Sequence, residues 1–431
     1  MSVRAMGTVA IAVAAIGTGS AMAQTKSQQI VKPPVAQLWM DVATMTMPGM
    51  PDMTSIPGAG ALGGLFGVRG VGEGNNAFGN TRGVLPGRYV DIALFTQRKP
   101  AGTEGLQSVP QVTGLAPTLP LVPPPPAARP DPTPPGSSRD PTEIERPKGR
   151  ILFYWGCGEE VRAGQPRVLD FARAAPQEWA GFMQGRAVSD RGAVAKPGHA
   201  LWPNEKDRRS FGRDASLVGE HSVTGEGVPA SLKFALSQAN DFMPAIALTQ
   251  SGTTADALQL NWQPIGSARA YFINAIGGGD GDTVFWSSAE VPEFGMGLLD
   301  FASPSNVDQW LKEKVLLAPT VTQCAVPKGI FAKASGAMLR MIAYGSELNI
   351  AHPPRPADVK QPWEPEWAVR VRTKSTAMAQ LGADAQQRMG SGRGPSERAG
   401  SEQAPPPSVE AKKDEPKAPS AVDVLRGILG R

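Results

Sequence analysis

Leu258-Gln259-Leu260-Asn261-Trp262-Gln263-Pro264, followed by Ala270-Tyr271-Phe272-Ile273-Asn274-Ala275-Ile276 and by Thr283-Val284-Phe285-Trp286-Ser287-Ser288, is the stretch that decides the fold. Each run is rich in β-branched or aromatic residues, and the runs are separated by Pro264-Ile265-Gly266-Ser267 and by Gly277-Gly278-Gly279-Asp280-Gly281-Asp282. Apolar runs of this length between Gly/Pro/Asp punctuation read as strands joined by turns, so the stretch predicts a β-meander. The Gly/Asp segment lacks the ordered carboxylates and terminal Glu of a calcium loop and reads as a hairpin turn.

Strand-like segments continue on both sides. Upstream lie Arg150–Trp155, a compact apolar run closed by Gly156-Cys157-Gly158, and then Leu217–Gly225, Ser231–Leu236 and Ala245–Thr249. Downstream lie Thr320–Val326, Met338–Tyr344 and Trp363–Arg372, in the last of which Arg370 and Arg372 share a side, as a charged sheet edge would have it. Val307, Trp310, Leu311 and Val315 recur at helical spacing, which predicts a helix over 306–317 with Ser305 as its cap, and a second short helix is expected between Pro166 and Gly192. Many short strands with turns between them imply a mainly β protein built on an antiparallel β-sandwich, its core at 216–372 within a main domain of 149–377. Leu258-x-Leu260-x-Trp262, with Ala270-Tyr271 and Val284–Ser288, resembles strands B, C and C′ of a fibronectin type III module over residues 228–352. The resemblance implies a binding or spacer module rather than a catalyst. Fold alone does not fix function.

Before the main domain, Val35–Ala43 alternates as a strand. In Gly87–Phe95, Val90, Ile92 and Leu94 take one side while Tyr89, Asp91, Ala93 and Phe95 take the other, so the aliphatic side is the expected buried face. Residues 24–122 are thus expected to form a smaller N-terminal β unit, interrupted by a Gly/Met-rich disordered insertion at 45–82 and followed by a Pro-rich linker at 123–148. The 49 Gly and 42 Pro make up more than a fifth of the 431 residues and sit in blocks, which assigns much of the length to linkers. Residues 378–431 read as a disordered tail ending in a short amphipathic helix.

The first residues carry a compartment signal. Arg4, the apolar run Thr8–Gly17 and Ala21-Met22-Ala23 have the layout of a secretory signal peptide spanning 1–23, cut after Ala23. No later segment approaches the roughly 18 apolar residues of a membrane span. Periplasmic or extracellular location is therefore expected, and a net charge of only +4 gives little field for holding a nucleic acid. In an oxidising compartment Cys157 and Cys324 are either bridged or two separately buried thiols; a bridge would close a loop of about 170 residues, contributing about 4–5 kcal/mol in the chain-entropy model.

Chemistry-bearing motifs are few. His199, His221 and His352 stand in unrelated contexts, and no zinc spacing or nucleophile elbow occurs. Cys157 as a nucleophile with a distant His base is outweighed by a structural role. Met45, Met47, Met50 and Met53 form a thioether run of the type that can wrap Cu(I), against the plainer reading of a Met-rich insertion. Leu62, Leu65 and Phe66, in Leu-Gly-Gly-Leu-Phe-Gly, are echoed by Leu425, Ile428 and Leu429, in Leu-Arg-Gly-Ile-Leu-Gly. Apolar clusters within polar or Gly-rich tails point to docking on a protein partner or an envelope surface. The sequence therefore favours a non-enzymatic secreted or periplasmic binding or structural protein needing no cofactor, with a periplasmic Cu(I)-binding protein as the alternative.

Overall fold

The computed structural model describes residues 29–48, 76–125, 149–334 and 336–382. These residues build one large sheet and two small ones. Three strands come from the N-terminal part and its return: β1 (Ala36–Thr46), β2 (Gly87–Thr96) and β7 (Ala200–Trp202). The C-terminal meander supplies β12 (Ala270–Gly279), β13 (Asp282–Ser287), β15 (Ala337–His352) and β16 (Trp367–Gln380), and β5 (Arg150–Trp155) with β6 (Arg167–Asp170) completes the set. The nine strands run in the order β6-β5-β13-β12-β15-β16-β1-β2-β7, with β5/β13 and β1/β16 parallel and every other pair antiparallel. The small sheets are β10-β11-β14 (Leu248–Ser251, Leu258–Trp262, Gln323–Val326) and β4-β3-β8-β9 (Thr118–Leu121, Gly105–Ser108, Gly219–Gly225, Lys233–Leu236).

One face of the large sheet carries both small sheets. Along β16 the odd-numbered side chains point to this face: Trp367, Val369 and Val371 join the core under the four-stranded sheet, while Ala377 and Ala379 join the core under the three-stranded one. Val90, Ile92 and Leu94 of β2 lie in the first core, the face that alternation assigns to burial. Leu258, Leu260 and Trp262 of β11 face Tyr271, Ile273, Leu339 and Met341 in the second. Lettered in chain order, β10-β11-β14 against β13-β12-β15-β16 is A-B-E against C′-C-F-G, an immunoglobulin-type order. The protein is thus mainly β with several antiparallel sheets in sandwich-like contact.

Local details follow from turn and cap chemistry. The β12–β13 hairpin closes on Asp280 and Gly281, both at positive φ (53° and 81°), the two-residue turn whose twist suits antiparallel strands. Helix α1 spans Pro176–Met183 and α2 spans Pro304–Lys312, shorter than the 306–317 expected. Ser303, not Ser305, caps α2, its Oγ accepting from the Asn306 N–H at 3.2 Å. Cys157, just beyond β5, is bonded to Cys324 on β14, with 5.1 Å between their Cα atoms. The bridge spans 167 positions and fastens the large sheet to the three-stranded one.

Three expectations are corrected. Residues 24–122 do not form a smaller unit: β1 pairs along its full length with β16, from Ala36↔Trp367 to Thr46↔Ala377, and β2 pairs on its other side. Of the insertion expected at 45–82, Met45 and Thr46 belong to β1 and residues 76–83 carry a 3-10 turn at Asn80–Arg82, while 49–75 lie outside the described residues. The strand bearing Arg370 and Arg372 is not an edge. It lies between β15 and β1 in mid-sheet, and Arg372 is buried.

Candidate functional site

The outer face of the large sheet, opposite the two cores, carries a buried row of charged side chains. Register builds it: Asp91 on β2 stands opposite Asp41 on β1, and Asp41 opposite Arg372 on β16. Asp41 accepts a two-pronged guanidinium bond from Arg372, Nε at 2.7 Å and Nη2 at 2.6 Å, and also accepts the Ala193 N–H at 3.1 Å. Such a bidentate pair is the strong form of a charge-assisted bond. Two positions further along β16, Lys374 is fully buried and donates to Asp300 at 2.8 Å. Arg82 closes the circuit, its Nε 2.6 Å from Asp300 and its Nη2 3.4 Å from Asp41. The ring of Phe301 lies over both cations, 4.6 Å from the Arg372 guanidinium carbon and 4.3 Å from the Lys374 nitrogen.

Irregular chain covers the row. Gly192 sits so close that a Cβ there would overlap the Arg372 guanidinium and the Asp41 carboxylate, so the cover needs a residue without a side chain. On the far side Asp91 has no bonded cation among the described residues and is held by donors instead: the Gly79 N–H at 2.8 Å, the Thr81 N–H at 3.2 Å and the Thr81 hydroxyl. Burial pushes the Asp91 carboxyl up to about 6, with the Asp41 charge adding to it and the three donors opposing. Burial acts on Asp300 in the same direction, but ion pairing to Lys374 and Arg82 outweighs it and holds that carboxyl below the usual carboxylate range. Burial lowers Lys374 despite its pairing with Asp300.

The residues singled out from the sequence lie elsewhere. Met45 is enclosed with Ala43, Tyr89 and Phe301, Met47 is half-buried just past β1, and Met50 and Met53 lie outside the described residues. Leu62, Leu65, Phe66, Leu425, Ile428 and Leu429 also lie outside them. His221 is buried against Phe234 and the Leu217 carbonyl, His199 lies between Trp39 and Phe95, and His352 stacks on Trp367. Among the described residues no group of three His, Cys, Asp or Glu side chains is placed to hold a metal ion. The charged row itself escapes sequence reading. Its one local signal is the lone aspartate at the middle of each of two apolar strands, Asp41 and Asp91.

No family model, curated protein or solved structure matches the chain.

Proposed function

We propose that the protein acts outside the cytoplasm as a binding or structural scaffold, with its terminal segments engaging a protein partner or an envelope surface. The observation that carries this reading is the use made of the buried ionic groups. Arg82, Arg372 and Lys374 are paired with Asp41, Asp190 and Asp300 around the cover of Gly192, Ala193 and Phe301, so the side chains best suited to acid–base chemistry are engaged in holding the sheet's outer face. A disulfide between distant strands and a signal-like N-terminus support the compartment.

The test is photo-crosslinking from positions 425, 428 and 429 in producing cells, after N-terminal sequencing of the mature chain. A discrete crosslinked component, lost on deletion of 420–431 and recovered in the envelope fraction, is the expected result. A mature chain that begins at Met1 and stays in the cytoplasm would overturn the location. No crosslink from any of the three positions, or from 62, 65 and 66, would overturn the docking role.

A further inference from the structure

Further along the same outer face, two donors stand side by side without adequate acceptors. Arg340 on β15 is in register with Asn274 on β12 and with Met378 on β16. Parity places Arg340 outward, since Leu339 and Met341 lie in the inner core while Ile342 and Tyr344 lie on the other side. Its Nε is buried with no hydrogen-bond partner, and among the described residues no carboxylate is bonded to its guanidinium. Asp300, the carboxylate whose field it feels, is already shared by Lys374 and Arg82. The amide of Asn274, only 7% exposed, donates to nothing better than the Met296 thioether at 3.8 Å. Thioether sulfur is a weak acceptor.

A half-buried guanidinium and a buried amide left in this condition carry a desolvation cost that an incoming oxygen anion removes. The charges define which anion. Arg82 is shared by Asp41, Asp190 and Asp300, Arg372 is paired with Asp41 and Lys374 with Asp300, so among the described residues Arg340 is left with no bonded carboxylate, and a single negative charge matches its single positive one. The surroundings define the rest of the ligand: Met296 and Met378 are half-buried and Met338 is exposed, an adaptable apolar rim open to solvent. We propose that Arg340 and Asn274 bind the carboxylate of an amphiphilic organic acid whose hydrocarbon chain lies along Met296, Met338 and Met378. A carboxylate fits the guanidinium fork with two parallel bonds and leaves one oxygen lone pair for the Asn274 amide.

The experiment is calorimetric titration of the mature full-length chain with decanoate, acetate and inorganic phosphate, in separate runs below the micellar concentration. Saturable one-to-one decanoate binding is expected, with acetate and phosphate each at least about tenfold weaker. Arg340→Gln is expected to weaken decanoate at least about tenfold, and Asn274→Leu to weaken it by a smaller factor. Met338→Glu, a change on an exposed side chain, sets a negative charge at the entrance and keeps the proposal testable if Arg340→Gln does not fold; it too is expected to abolish binding. Absence of saturable decanoate binding, equal affinity in folded Arg340→Gln, or phosphate binding more tightly than decanoate would each overturn the carboxylate site. Acetate binding as tightly as decanoate would overturn the role of the methionine rim.

Discussion

The two faces of the nine-stranded sheet are held by different physics. On the inner face, Leu339, Met341, Val369 and Val371 are at most 2% exposed and pack against strands of the two small sheets, so non-directional burial holds the layers together. On the outer face between β2 and β15, Asp91, Asp41, Arg372 and Lys374 are equally removed from water, but directional ion pairs hold the last three, N–H and hydroxyl donors hold Asp91, and irregular chain covers them. The difference lies in tolerance. An apolar layer loses stability in proportion to the atoms removed, whereas a buried ionic row fails at the first unmatched charge.

Asp41→Ala is the sharpest test, because it strands Arg372 beneath Gly192 and removes a partner of Arg82. A loss of about 3–5 kcal/mol is expected by denaturant unfolding. Replacing both members of the pair by apolar residues of similar volume, Asp41→Leu with Arg372→Met, should recover most of that loss. If the double variant is no more stable than Asp41→Ala, the row does not behave as a mutually neutralising unit. On the inner face, Leu339→Ala should cost about 2–5 kcal/mol, with no comparable rescue from any single neighbour of unchanged chemistry.

Much of the inner face was legible from residues alone, and the reason is periodicity. Leu258–Ser288 resolves into strands because its apolar runs are short and its punctuation is strong; β11, β12 and β13 fall where those runs stand. Alternation in Gly87–Phe95 assigned Val90, Ile92 and Leu94 to the core. The outer face was not legible, because its partners meet only through pairing between β1 and β16, some 330 positions apart in sequence. Arg370 and Arg372 look like edge charges until β1 is placed beside them. The short strands β3, β4 and β7 carry too few residues for a period to register. The expected Cu(I) run meets a similar limit, since composition groups Met45 with the Met/Gly-rich stretch after it while pairing makes it the penultimate residue of a buried strand.

The outer row also has a distinctive pH response. Asp91 has a folded-state value near 6, above that of an unfolded aspartate, so its contribution is fully present below about 4 and is lost as pH rises through 6. His221 acts in the opposite direction: burial lowers it, so its contribution is lost as pH falls through its unfolded value. The informative quantity is therefore the difference between the wild-type chain and Asp91→Asn across pH 4–8. Wild-type stability relative to the variant should fall with rising pH over 4–6 and then level off, as read from unfolding midpoints. A difference that rises over that interval would mean Asp91 is held as a carboxylate by Gly79 and Thr81, with burial the lesser influence.

The smallest expected effect tests whether the cover over the outer face is held locally or by the sheet. Helix α2 packs Val307 and Trp310 against Ile342, Phe272 and Tyr344, and its first turn is satisfied by the Ser303 hydroxyl. Ser303 follows Asp300 and Phe301 closely, the two residues that bridge and roof Lys374. Ser303→Ala removes one cap bond and should cost about 1 kcal/mol if the helix is anchored by its apolar stripe. A markedly larger loss, accompanied by increased hydrogen exchange at 299–302, would mean that the cap also fixes the Asp300–Phe301 cover, making α2 part of the ionic face rather than a neighbour of it.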